Sequence, residues 1–174
     1  MEDFPDKFVY HGSHKEFEPP VVPRRNIRSK INESGDEEVI FDEVSFHATP
    51  YRWIALAYTY NNKKICEIDG KDVYYNMGVD LYEHNNELGI YGIGSLEQSL
   101  EQLYGDGGYL YHFDKDKFYY KEGLGNLEVI IQESVDPITV EKVDNPIDEL
   151  KKAEVKFKFI DLALPENEKY RNYV

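Results

Sequence analysis

Helical spacing of apolar residues is confined to short stretches of this chain, and that limits the fold more than any other feature. Residues 50–62 carry Trp53, Ala57 and Tyr60 with Ile54 and Tyr58 beside them, and residues 95–104 carry Leu96, Leu100 and Leu103. Residues 148–152 add one turn. The first stretch opens on Thr49-Pro50, a capping residue followed by a proline suited to a first helical position. The second opens on Ser95 with Gln98 three residues on, a capping box. Everything else apolar falls in short β-like runs: 7–11, 39–47, 65–68, 72–82, 109–113, 118–120, 127–132, 138–143 and 155–160. The class is α+β. The second half reads as an antiparallel meander, with the lysine-interleaved run 155–160 at an edge.

A length of 174 residues suits one domain over 1–174. With 15 Tyr and 9 Phe, aromatic side chains are expected to supply much of the core in place of Leu and Met. Residues 18–38 are Pro-rich, then charged, and lack apolar periodicity, which predicts a flexible loop. The charged end, 165–174, predicts a frayed tail.

Acidic residues outnumber basic ones 34 to 20, a net charge of −14 that repels polyanions and disfavours nucleic acid as a partner. Arg24, Arg25 and Arg28, three of the five arginines, stand with Lys30 in one basic stretch able to receive a phosphate. Cys66 is the sole cysteine, so intrachain disulfides are impossible and a reducing, cytoplasmic setting is expected. Neither a signal peptide nor a membrane span is expected, because no long apolar run occurs. His47, His84 and His112 lack the spacing of a shared metal site, and no metal is expected.

Three pieces carry chemistry: Tyr10-His11-Gly12-Ser13 at a strand end, Phe46-His47-Ala48-Thr49-Pro50 running into a helix that bears Tyr58, and Glu128 at the head of 127–132. Their order and spacing resemble ADP-ribosyltransferases of the His-Tyr-Glu type, the group that includes diphtheria toxin and the poly(ADP-ribose) polymerases. The resemblance covers about residues 8–60 and 107–143, and Val135-Asp136-Pro137-Ile138 continues it. It implies an ADP-ribosyltransferase-like fold, split antiparallel β-sheets with flanking short helices and NAD⁺ bound in the cleft between them.

The resemblance also implies roles. Gly12, without a Cβ, offers backbone N–H and C=O to the nicotinamide carboxamide. His11, and Ser13 beside it, bond the ribose. An aromatic ring stacks on nicotinamide: Tyr58 by alignment, with Tyr51 and Tyr60 as alternatives because the spacing is one residue off that of the polymerases. Arg24 and Arg25 contact the pyrophosphate. Glu128 stabilises the oxocarbenium-like transition state and holds the ribose 2′-hydroxyl. Glu133 competes on the same strand, but its odd separation from Glu128 points the two to opposite faces, so only one enters the cleft.

Where the polymerases have Tyr-Phe-Ala, this chain has Phe46-His47-Ala48. Asn126, two before Glu128, stands where the resemblance to arginine-directed transferases would require Glu or Gln, so arginine-directed transfer is not expected. The implied activity is cleavage of NAD⁺ with transfer of ADP-ribose to a macromolecule, protein before nucleic acid. Glycohydrolysis and a catalytically silent nucleotide- or protein-binding domain are the alternatives. An RNA 2′-phosphotransferase also carries a first-strand histidine, but the −14 charge and the length oppose it.

Overall fold

A computed structural model describes residues 6–80 and 85–171. In chain order the strands and helices are β1 (Phe8–Ser13), β2 (Arg24–Ile31), β3 (Glu37–Ala48), α1 (Arg52–Ala57), β4 (Lys64–Ile68), β5 (Lys71–Tyr74), β6 (Asn76–Val79) and β7 (Glu87–Gly92). There follow α2 (Leu96–Tyr104), β8 (Gly108–Asp114), β9 (Val129–Ile131), β10 (Thr139–Val143), α3 (Pro146–Lys152) and β11 (Lys156–Asp161). The fold is mixed α+β, mostly strands in several small sheets with few, short helices. None of the helices among the described residues is long and apolar enough to cross a membrane.

Two three-stranded sheets form the centre. In one, β8 lies between β1 and β10; in the other, β3 lies between β2 and β9; all these pairings are antiparallel. The two sheets meet where Tyr10 and Thr49 exchange backbone hydrogen bonds of 2.7 and 2.8 Å. A third sheet, β11-β7-β6, pairs β11 parallel to β7, and β4 and β5 form a hairpin.

Both faces of β1 are covered, so its burial does not alternate cleanly. Tyr10 joins a core built with α1 and α2 on Leu56, Leu88, Leu103, Leu110 and Leu150. Val9 joins a second core with Tyr111, Phe113 and Phe118, where the Phe113 and Phe118 rings lie 5.6 Å apart. Aromatic residues therefore dominate one core and share the other with leucine, instead of replacing it.

Several expectations change. Residues 18–38 are not one flexible loop: β2 pairs along its length with β3, and Asn32 Oδ1 accepts from the N–H groups of Ser34 and Asp36 to make the turn. The strand escaped detection because β2 is exposed almost throughout, leaving no apolar alternation to read. The tail is not frayed over its described part. Pro165–Tyr170 forms a 3₁₀ helix, and the Arg171 guanidinium donates to the Leu162 carbonyl at 2.7 Å; 172–174 lie outside the described residues. Residues 81–82 of the expected 72–82 strand also lie outside them, and the rest divides into β5 and β6.

Helix α1 stops at Ala57, well short of residue 62, and its N-cap position is Tyr51. Thr49 Oγ1 accepts instead from the Tyr51 N–H at 3.2 Å, two residues too early to cap the helix. Ser95 does cap α2, its side chain accepting from the Gln98 N–H. The second half is not a meander either: β9 crosses to β3, and 118–120 contribute only the bridge between Tyr119 and Ile130. That crossing brings Glu128 to the end of β3.

Candidate active site

A cavity of about 240 Å³ opens where β1, β3, α1 and the segment before β9 converge, lined among others by His11, Gly12, Arg28, His47, Tyr58 and Glu128. Its first wall is the edge of β1 that faces away from β8. In an antiparallel ladder, alternate residues turn their N–H and C=O groups to opposite sides. Tyr10 turns its pair to Thr49, away from β8, and His112 turns its carbonyl to Ile138, away from β1. Gly12, two residues after Tyr10 and opposite Leu110, therefore presents its N–H and C=O on the side away from β8. The missing side chain is also structural, because a Cβ there would stand 1.7 Å from the Ala55 carbonyl oxygen.

The opposite wall carries the carboxylate. Glu128 precedes β9 between Leu127 and Val129, both fully buried, and is itself only 7% exposed. Its Oε1 receives two donors, His47 Nδ1 at 2.5 Å and Arg28 Nη2 at 3.0 Å. Its Oε2 is buried with no partner. Leaving a buried carboxylate oxygen unpaired costs free energy, so Oε2 is an acceptor that the folded chain leaves unsatisfied in a residue that lines the cavity.

His11 completes the site. Its Nδ1–H donates to the His47 carbonyl oxygen at 2.9 Å, because a carbonyl can only accept. Burial pushes its pKa below the ordinary histidine value, the hydrogen bond to His47 opposes that, and the neighbouring His47 adds to the depression. The ring is thus neutral at pH 7, with Nε2 as a free acceptor.

A base whose folded pKa lies below its unfolded one binds more protons when unfolded. Its contribution to stability is complete above the unfolded value of about 6.5 and is lost as pH falls through it. Thermal melts of wild type and His11→Gln at pH 7.5 and 5.5 test this. Wild type should lose more stability on acidification, by at most about 1.4 kcal/mol per pH unit for this one group. Parallel losses in the two proteins would exclude it.

Comparison with family models, curated proteins and solved structures gives no match to this chain.

The remaining candidates divide. Tyr58, at the C-cap of α1, lines the cavity. The residue is 38% exposed, yet its hydroxyl is pushed up to about 12, first by desolvation and then by the charge of Glu128. Tyr51 lies elsewhere, beside Trp53 and Ala153, and Tyr60 packs on the leucine-rich core. Ser13 donates to the Lys15 carbonyl in a tight exposed turn and lines no part of this cavity. Glu133 is exposed beyond the end of β9, so the acid in the cleft is Glu128.

Arg24 and Arg25 face opposite ways, as strand neighbours must. Arg25 makes a two-pronged pair with Asp42 at 2.7 and 2.6 Å, so it is not a phosphate ligand as placed. Arg24 lines a second cavity of about 500 Å³, with Phe17, Val21, Val22 and Phe46 among its walls; this cavity shares His11, Asn26 and His47 with the first.

Sequence reasoning missed Asn26 and Ser45, and named Arg28 and His47 without their bonds to Glu128: Arg28 stood only in the stretch able to receive a phosphate. Arg24, Asn26 and Arg28 recur every second residue, the signal of one strand face, but it was legible only once 24–31 was known to be a strand. His47 stood out as a departure from the aromatic-Ala element, without a role.

Proposed function

We propose that this chain is an NAD⁺-dependent ADP-ribosyltransferase that passes ADP-ribose to a macromolecular acceptor, protein in preference to nucleic acid. One observation carries the reading: a single cavity is lined by a buried carboxylate, Glu128, whose Oε2 has no partner, by a neutral histidine, His11, and by Gly12 with its unpaired backbone edge. Those groups meet the demands of nicotinamide riboside at one end of NAD⁺. The carboxamide pairs with the Gly12 N–H and C=O, and Tyr58 offers a ring face beside it. Ribose hydroxyls donate to His11 Nε2 and to the Glu128 carboxylate.

In the reaction, the bond between ribose C1′ and the nicotinamide nitrogen breaks and its electron pair leaves with nicotinamide. Positive charge spreads over C1′ and the ring oxygen, where the Glu128 carboxylate opposes it. The acceptor's nucleophile bonds to C1′ and gives up its proton. Water as acceptor yields free ADP-ribose, and the same site performs that variant. The half-buried, unpaired Cys66 suits a reducing, cytoplasmic location, where NAD⁺ is at hand.

Calorimetric titration with NAD⁺ and chromatographic measurement of released nicotinamide test the reading together. Saturable binding at one site, with nicotinamide release rising on addition of acceptor protein, is expected. Binding without release would reduce the protein to a nucleotide-binding domain, and no binding would remove the proposal.

A further inference from the structure

We infer that His47 is a positioning residue that sets the cleft groups on both walls and fixes the Glu128 carboxylate through its Oε1. This rests on the reading of Glu128 as the acid of an ADP-ribosyltransferase.

His47 acts through two different atoms. Its backbone carbonyl accepts from His11 Nδ1, which fixes the His11 tautomer and leaves Nε2 as the acceptor nitrogen. Its ring reaches the opposite wall, where Nδ1 meets Glu128 Oε1. The ring is itself held. Ser45 Oγ lies 2.9 Å from Nε2, and the Phe41 ring stands nearly perpendicular to it at 5.4 Å. With both nitrogens engaged and one face backed by an aromatic ring, the imidazole has one orientation, and so does the carboxylate oxygen it grips.

Arg28 grips the same oxygen from β2, with a side chain 46% exposed on the arm of the hairpin. The two grips differ in kind. Arg28 is a half-exposed charge on an exposed strand, whereas His47 is enclosed and anchored from behind. Both donors converge on Oε1 and neither occupies Oε2. A glutamate has several rotatable bonds, and pinning one oxygen removes that freedom before substrate arrives.

The order serine, histidine, carboxylate is also that of a hydrolytic triad, but the geometry opposes that use. Ser45 is 1% exposed, too enclosed for its Oγ to attack a carbonyl carbon in either cavity. Here the serine orients the histidine and the histidine orients the acid.

Two substitutions separate orientation from bulk. His47→Phe keeps a flat ring without a donor, whereas His47→Asn keeps an N–H close to the place of Nδ1. Nicotinamide release should slow about 10- to 100-fold in H47F, the range seen when partners of functional groups are removed, with NAD⁺ affinity within about threefold of wild type. H47N should recover to within about fivefold of wild type. Equal impairment in the two variants, or an unimpaired H47F, overturns the inference.

A second readout needs no substrate. In ¹⁵N-histidine-labelled protein the Nδ1–H of His47, bonded to a buried carboxylate, should give a downfield proton resonance that is absent in H47F and moves upfield in E128Q. A resonance unmoved by E128Q overturns the positioning role even if NAD⁺ is turned over. If wild type releases no nicotinamide, the enzymatic reading of Glu128 fails, and this resonance still decides whether His47 holds the carboxylate.

Discussion

Glu128→Gln should lower nicotinamide release about 10²- to 10³-fold, the loss seen when one preorganised electrostatic group is removed from an active site. The substitution changes little in shape. What it changes is polarity at one place. An amide has one acceptor oxygen, and the donors of His47 and Arg28 on Oε1 will claim it. The NH₂ group must then occupy the position of Oε2, leaving a donor where the ribose hydroxyl needs an acceptor. Charge and hydrogen-bond sense are lost together, and both matter most as the C1′ cation develops.

Ground-state binding should suffer less, because Gly12, His11 and Tyr58 are untouched. NAD⁺ affinity in E128Q is therefore expected to stay within about tenfold of wild type while turnover collapses. Stability is a further check. The carboxylate is 7% exposed and its Oε1 is bonded to His47 and Arg28, so Gln weakens both charge-assisted bonds and buries an unpaired NH₂ group, and the melting temperature should fall modestly. Glu133→Gln serves as the control, since that residue is exposed beyond β9 and should retain wild-type turnover. An E128Q enzyme that keeps more than about a tenth of the rate would remove Glu128 from the chemistry.

The parts of the fold that were legible in the sequence are those in which local chemistry and burial agree. Ser95 and Gln98 announce the start of α2 because the capping bond is local, and 109–113 reads as a strand because β8 carries Tyr109, Leu110, Tyr111 and Phe113 and is largely buried. Strand β2 was illegible for the opposite reason: Arg24, Arg25, Arg28 and Lys30 make it look like a solvated loop, and only its register with β3 makes it a strand. The same division holds in the site. His11, Gly12 and Glu128 were found as residue types in an order. The grip of His47 on Glu128 spans 81 positions and depends on β9 crossing to β3, which no local pattern records.

Gly12→Ala should be the most damaging single-atom addition at the site, and through the fold before the chemistry. Its Cβ would fall 1.7 Å from the Ala55 carbonyl oxygen and 2.8 Å from the carbonyl carbon. Both partners are backbone, so no side chain can turn aside. Helix α1 would have to retreat by roughly 1.5 Å to restore van der Waals contact, and it carries Ile54, Ala55, Leu56 and Ala57, all buried in the core. Forced overpacking of this kind costs about 3 kcal/mol or more. In a chain of this size that lowers the melting temperature by about 6–12 °C. The same retreat displaces Tyr58 at the end of α1, so NAD⁺ binding should weaken in whatever fraction stays folded. Gly89→Ala is the matched control, because a Cβ there meets its nearest atoms at an ordinary 3.5 Å and should shift the melting temperature by no more than about 2 °C. A G12A protein that melts with wild type would mean that β1 and α1 tolerate separation, and the glycine would then have only its backbone edge to explain it.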